Sequence, residues 1–127
     1  MSPKILAIDD ENEILMIVRV ALENEGYEVI TALNGFDGLA LAKSEKPDLI
    51  ILDMVMPSMS GEEVLDSLKN DPETDTIKVV ILTIVSDKDK IQQALNMGAD
   101  YYIIKPVEYD NLVSTIERAL KDEPLMP

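Results

Sequence analysis

Apolar residues along the chain follow two alternating patterns. Short runs of consecutive apolar residues, typical of strands buried on both faces, alternate with segments in which apolar residues recur every three or four positions, typical of helices. The predicted strands are Lys4 to Ile8, Tyr27 to Ala32, Asp48 to Leu52, Ile77 to Leu82 and Tyr101 to Ile104. The predicted helices are Asn12 to Glu25, Phe36 to Glu45, Gly61 to Asn70, Asp87 to Met97 and Tyr109 to Lys121. Asn34-Gly35 is predicted to be a turn.

Five strands that alternate with five helices predict an α/β fold with a parallel sheet and helices on both faces. We expect the doubly wound, flavodoxin-like strand order 2-1-3-4-5, with right-handed crossovers. The 127 residues are the size of one domain. We assign residues 1–121 to that domain, and residues 122–127 to a tail or to the start of a linker.

Polar residues end four of the predicted strands. Asp9 and Asp10 follow the first, Asp53 the third, Thr83 the fourth and Lys105 the fifth. In a parallel sheet these positions share one edge, where open α/β sheets bind ligands. Clustered carboxylates repel one another and favour a cation, whereas a lysine and a hydroxyl beside them favour an anion. Acids are also common as helix N-caps, but three of them beside two neighbouring strands fit that role poorly. The pattern indicates metal-assisted phosphoryl transfer onto an aspartate.

The composition narrows the chemistry further. The chain has no Cys and no His, which removes thiol nucleophiles, imidazole bases and the usual zinc and copper ligands. A bound metal is therefore expected to be Mg²⁺ or Mn²⁺ on oxygen ligands. The net charge of −14 repels nucleic-acid phosphates, so we expect no direct nucleic-acid partner. No apolar stretch has the length of a membrane span, and we expect a cytoplasmic protein without a membrane partner.

These residues together resemble the response-regulator receiver domains of two-component signalling, similar to the single-domain chemotaxis type. The resemblance extends from Lys4 to about Lys121. The motifs that carry it are Asp9-Asp10, Asp53-Met54-Val55-Met56-Pro57 with Gly61, Thr83, Gly98-Ala99-Asp100 and Lys105-Pro106. The resemblance implies a phosphorylation-driven switch rather than an enzyme that turns over a separate substrate.

The resemblance also implies a role for each residue of the acidic cluster. Asp53 would be the phosphoacceptor. Asp10 would be the main carboxylate ligand of Mg²⁺, and Asp9 would act largely through water. The backbone carbonyl of Val55 would complete the protein ligands.

Three further roles follow from the same resemblance. Thr83 and Lys105 would bind the phosphoryl oxygens, and Tyr102 would be the switch aromatic that turns inward when Thr83 moves. The signal would leave through the surface of the fourth helix, fifth strand and fifth helix. Because the chain has no His, the phosphoryl donor would be another protein, a histidine kinase or a histidine phosphotransfer protein. The sequence does not identify the downstream target.

Two features of the sequence are unusual: the residue that follows Thr83 and the apolar content of the first helix. The residue after Thr83 is usually small in such domains, and here it is Ile84, so we hypothesise an unusually long-lived phosphoryl group on Asp53. The first helix is also more apolar than a single buried stripe requires, since Ile14 to Val18 is uninterrupted. Some of Ile14, Leu15, Met16 and Ile17 are therefore expected to be exposed and to dock the donor.

Three other functions use parts of the same pattern. A Mg²⁺-dependent haloacid-dehalogenase-type phosphohydrolase would want two Asp separated by one residue after its first strand, whereas Asp9 and Asp10 are adjacent. Flavin binding on this fold needs a hydroxyl- or Gly-rich loop there, and this loop is acidic. A phosphorylation-independent docking module stays open because of Ile84.

Overall fold

The structure is a computed structural model that describes residues 2–84 and 88–123. A parallel sheet is formed by five strands: β1 (Lys4–Ile8), β2 (Glu28–Ala32), β3 (Leu49–Asp53), β4 (Lys78–Thr83) and β5 (Tyr101–Ile104). The strands are connected or followed by five helices: α1 (Asn12–Asn24), α2 (Gly35–Glu45), α3 (Gly61–Lys69), α4 (Lys88–Asn96) and α5 (Tyr109–Leu120). Every predicted strand is present, with bounds that differ from the prediction by at most one residue.

The strand order is β2-β1-β3-β4-β5, which confirms the predicted topology. β3 lies at the centre, and all five of its residues are buried between the two helical layers. Its register with β1 pairs Ile8 with Leu52, so the residues that follow these two, Asp9 and Asp53, leave the sheet at the same level. The sheet therefore brings together acids that are 44 residues apart in the chain.

Alternate side chains of the strands enter two separate cores. On one face, Leu49 and Ile51 belong to a cluster that includes buried residues of α1 and α5. On the other face, Ile50 and Leu52 pack with buried residues of α3 and α4 and with Ala42 of α2. Because β3 contributes to both cores, apolar burial resists its displacement from either side.

The start of α2 corrects one prediction. Asn34-Gly35 is not a free turn, because Asn34 is the N-cap of α2 and its Oδ1 accepts a hydrogen bond from the Asp37 N–H at 2.8 Å. Asn is a favoured N-cap residue because its short side chain satisfies an amide that has no partner within the helix. The predicted start of the fourth helix, Asp87, lies outside the described residues.

The chain after α5 is held against the sheet as far as it is described. The Tyr101 hydroxyl donates to the backbone carbonyl of Glu123, and Lys78 forms an ion pair with Asp122. The Arg118 guanidinium lies 5.6 Å from the centre of the Tyr101 ring, within cation–π range. Within residues 2–84 and 88–123, no helix is both long enough and apolar enough to cross a membrane.

Candidate functional site

Three carboxylates converge at the carboxyl edge of the sheet. Asp9 and Asp10 follow β1, Asp53 ends β3, and each offers an oxygen that lies within 4.8 Å of the others. Asp9 and Asp53 are only 1% and 3% exposed, whereas Asp10 faces solvent. The predicted acidic cluster is therefore present, with two buried members and one at the surface.

Backbone amides orient the two buried carboxylates. The N–H of Glu11 donates to Asp9 Oδ1 at 2.9 Å, and the N–H of Val55 donates to Asp53 Oδ1 at 3.3 Å. In each case the donor lies two residues further along the chain, as in an Asx turn. Both acids are thus held by the loop that follows their own strand.

Lys105 connects the two buried acids. Its ammonium nitrogen lies 3.3 Å from Asp53 Oδ1 and 3.3 Å from Asp9 Oδ2. The Lys105 N–H donates to the Thr83 carbonyl at 2.7 Å, which holds the end of β5 to the end of β4, and the following bond to Pro106 is cis. One positive charge therefore stands between two negative charges in a buried cleft.

Burial raises the pKa of both buried carboxyls. For Asp53, burial is the largest cause and the charge of Asp9 adds to it, so the pKa rises from 3.8 to about 6 although Lys105 opposes the change. The pKa of Asp9 is also raised, mainly by burial. Burial lowers the pKa of Lys105, but the charges of Asp53 and Asp9 outweigh burial and the net shift is upward. The site therefore carries uncompensated negative charge at neutral pH.

The donor set fits a hard divalent cation. Asp9 Oδ2 is buried and accepts no hydrogen bond from the described residues, although the Lys105 ammonium is nearby. A buried carboxylate oxygen that a single shared ammonium offsets is still costly, and a metal ion would reduce that cost. The three carboxylates offer oxygen ligands, and the exposed position of Asp10 leaves room for the water ligands that Mg²⁺ retains.

The remaining predicted residues lie after β3, at the end of β4 and on β5. Thr83 ends β4 and is 7% exposed, and its hydroxyl donates to the carbonyl of Ile84 at 3.3 Å. Val55 and Ile84 are highly exposed, at 68% and 59%. On β5, Tyr101 is buried and Tyr102 is 36% exposed, so the two tyrosines lie on opposite faces of the strand. Val85, the second residue after Thr83, lies outside the described residues.

The apolar first helix places its exposed residues differently from our docking prediction. Leu15 is a core residue and Ile14 packs against the same core, so the choice of Leu15 as a docking residue was wrong. Its side chain points toward the sheet because Leu15, Val18 and Leu22 share the buried face of α1. Ile17 is 46% exposed, as predicted, and Met16 is also exposed.

Val20 is also exposed, at 62%, although it was not among the predicted docking residues. Val20 lies three and four residues after Ile17 and Met16, so helical spacing would have placed it on the same face. A groove of about 540 Å³ between α1 and α5 is lined by Met16, Ile17, Val20 and Tyr109. A second groove, of about 860 Å³, lies on the α2 side of α1 and also includes Met16.

Comparison with known proteins gives a consistent result. The family profile described as "Response regulator receiver domain" matches residues 5–117. The chain is 37% identical over 117 residues to Protein PilH of Pseudomonas aeruginosa, covering 92% of this chain and 97% of that protein. It is 34% identical over 120 residues to Sporulation initiation phosphotransferase F of Bacillus subtilis, covering 94% and 95%.

Solved structures agree with this similarity. The chemotaxis protein CheY4 of Vibrio cholerae superposes with a TM-score of 0.89 at 32% sequence identity, covering 94% of this chain and 99% of that one. Other curated relatives are transcriptional regulatory proteins, and the chain spans about half of their length. The similarity to them therefore concerns one part of each protein.

Proposed function

The chain belongs to the family of response regulator receiver domains, and we propose that Asp53 accepts a phosphoryl group and thereby switches the domain. Receiver domains are signalling modules of two-component systems rather than enzymes in the usual sense. The observation that carries the proposal is the meeting of Asp9, Asp10 and Asp53 within 4.8 Å, with the Lys105 ammonium 3.3 Å from both buried acids. A cluster of acids on an exposed surface is neutralised by solvent and would not need a lysine within ion-pair distance of two of its members.

Each residue of the site has a separate role in the proposed phosphoryl transfer. An oxygen of Asp53 attacks phosphorus and forms a new P–O bond, while the P–N bond of a phosphohistidine breaks and its electron pair returns to the imidazole. Lys105 stabilises the negative charge on the transferring oxygens, since its ammonium already lies beside Asp53. The Val55 N–H orients the attacking carboxylate. No His is present in the chain, so the phosphohistidine belongs to a histidine kinase or a phosphotransfer protein.

A divalent metal completes this site. Asp9, Asp10, Asp53 and the Val55 carbonyl would hold Mg²⁺, which supplies neutralising charge for the phosphoryl oxygens when it is bound. The buried Asp9 oxygen that accepts no hydrogen bond from the described residues supports this assignment.

We propose that Thr83 and Tyr102 transmit the effect of Asp53 phosphorylation to the surface of the domain. The Thr83 hydroxyl now donates to a neighbouring backbone carbonyl, a bond that it would exchange for one to a phosphoryl oxygen. Tyr102, which is partly exposed on the edge strand β5, would then turn toward the space that Thr83 leaves. The output surface would be α4, β5 and α5, because β5 carries Lys105 at one end and lies beside α5.

The phosphoryl donor is proposed to dock on α1. The exposed face of α1 carries an apolar stripe formed by Met16, Ile17 and Val20. One groove lies on each side of this stripe, so α1 forms a ridge between the two grooves. A ridge of this kind fits between two helices of a partner, with apolar side chains filling both grooves. The start of α1 follows the Asp9-Asp10 loop directly, which places such a partner next to Asp53.

The lifetime of the phosphoryl group is proposed to be long. The exposed apolar side chains of Val55 and Ile84 flank the site and have no polar group with which to orient an attacking water. A branched side chain after Thr83 also narrows the approach to phosphorus.

The decisive experiment is incubation with a small phosphodonor such as acetyl phosphate, with and without Mg²⁺. Intact-mass measurement is expected to find one phosphoryl group on the wild type only when Mg²⁺ is present, and none on Asp53→Asn. Labelling that persists in Asp53→Asn would contradict the assignment of the acceptor. Turnover of a generic phosphomonoester would favour a phosphohydrolase, and partner binding without any labelling would favour a docking module.

A further inference from the structure

The loop between β3 and α3, residues 54–60, is closed at its base. The Met54 N–H donates to the Leu82 carbonyl at 3.1 Å, and the Gly61 N–H donates to the Met54 carbonyl at 3.1 Å. At the other end, Ser60 Oγ accepts from the Glu63 N–H and the Glu63 carboxylate accepts from the Ser60 N–H, which is a capping box. The loop that carries Val55 therefore begins and ends at anchored backbone positions.

Gly61 is the buried first residue of α3, and it has no room for a side chain. A Cβ at this position would lie 2.5 Å from Met54 Cα and closer still to the carbonyl oxygen of Asp53. Both are backbone atoms, which cannot rotate away as the end of a side chain can. Its φ is not in the left-handed region, so close approach rather than backbone conformation requires glycine here.

A substitution at Gly61 would move the loop more than the strand. β3 is hydrogen-bonded to a strand on each side and is buried on both faces, so it resists displacement. The loop and the start of α3 lack such support and would shift instead. Val55, whose carbonyl lies in this loop, would then change position relative to the Asp53 carboxylate.

The geometry points to Gly61 as a positioning residue for the metal site: its missing side chain lets α3 close against Asp53 and Met54, and this contact sets the Val55 carbonyl. The inference rests on the proposed function, because Val55 matters only if its carbonyl binds a divalent cation. Gly61 itself does not touch the metal or the phosphoryl group.

The test compares Gly61→Ala with Gly35→Ala. Gly35 is also the buried first residue of a helix, but the three nearest atoms that a Cβ there would meet are side-chain atoms, one of Val64 in α3 and two of Met59 in the loop. Mg²⁺ affinity is measured by isothermal titration calorimetry, and melting temperature is measured separately without metal. Gly61→Ala is expected to bind Mg²⁺ about 10- to 100-fold more weakly, the range for losing the support of metal ligands. Gly35→Ala is expected to stay within about twofold, because the atoms that its Cβ would meet belong to side chains, which can move without displacing the backbone that holds Val55.

The result that overturns the inference is a Mg²⁺ affinity in Gly61→Ala within twofold of the wild type. If Gly61→Ala does not fold, Ser60→Ala replaces it, since this change removes the cap of α3 and adds no atom. Mg²⁺ binding is then expected to be weaker in Ser60→Ala than in Gly35→Ala, and equal binding overturns the inference. A wild type that binds no Mg²⁺ contradicts the proposed function itself, whereas a wild type that binds Mg²⁺ normally confines any failure to Gly61.

Discussion

Replacement of Asp53 by Asn is expected to stabilise the metal-free protein at neutral pH. The carboxyl is 3% exposed, and burial together with the charge of Asp9 raises its pKa from 3.8 to about 6, against the opposing charge of Lys105. A carboxyl that holds its proton more tightly in the folded state than in the unfolded state opposes folding once it ionises. Asn has nearly the same shape and no charge, so it removes this opposition.

The sign and size of the effect follow from the pKa. Between pH 3.8 and about 6 the folded state binds more protons than the unfolded state, so stability falls as pH rises through this window and then levels off. The difference between the two pKa values corresponds to about 3 kcal/mol. Asn also loses the ion pair with Lys105, so the expected gain at about pH 7.5 is roughly 1–3 kcal/mol, or a rise in Tm of about 3–10 °C.

The assay is urea unfolding followed by circular dichroism, in the presence of a chelator, across this pH range. Asp75→Asn serves as the control because Asp75 is exposed, and its free energy of unfolding is expected to change by less than about 0.5 kcal/mol. Added Mg²⁺ is expected to stabilise the wild type more than Asp53→Asn and so to narrow the gap. An Asp53→Asn variant that is no more stable than the wild type at neutral pH would contradict this prediction, as would a difference in stability that is as large at pH 4 as at pH 8.

Three further predictions concern transfer, lifetime and docking. Lys105→Met is expected to slow labelling by a small phosphodonor by about 100-fold, since it removes the cation beside the transferring oxygens; an unchanged rate measured by intact mass would contradict this role. Ile84→Ala is expected to shorten the lifetime of the phosphoryl group by about 2- to 10-fold, a barrier change of about 0.4–1.4 kcal/mol, and a lifetime that is unchanged or longer would reject the gating hypothesis. Ile17→Lys with Val20→Lys is expected to slow transfer from the cognate kinase by about tenfold or more while leaving small-donor labelling unchanged; equal transfer from the kinase would exclude docking through this stripe.

The charges of Asp9 and Asp53 underlie both the expected stabilisation by Asp53→Asn and the proposed binding of a metal ion. Asp9 and Asp53 are buried close together, and Lys105 is the one cation that forms an ion pair with them among the residues that the structure describes. This arrangement opposes folding without metal and favours a divalent cation, because the cation relieves the repulsion that burial makes costly. If the proposed cation binds, it would restore the stability that this repulsion costs the metal-free protein.

The fold and the position of the site were predictable from the sequence because both depend on local patterns. A strand buried on both faces requires consecutive apolar residues, and such runs precede Asp9, Asp53 and Lys105. Parallel strands place their carboxyl ends at one edge, so the convergence of these residues follows from the order of strands and helices. Errors at strand ends were limited to one residue, since the polar residue that ends each run is itself visible in the sequence.

Tertiary structure alone decided which of two neighbouring residues is buried and which is exposed to solvent. Asp9 and Asp10 are adjacent and chemically identical, yet one is buried beside Lys105 and the other faces solvent. Leu15 and Ile17 belong to one apolar run, yet the first enters the core and the second is exposed. Sequence composition records which side chains are available, but burial depends on the direction in which the backbone points each one and on the elements that pack against it. That direction is set by contacts between segments far apart in the chain, and no local pattern contains them.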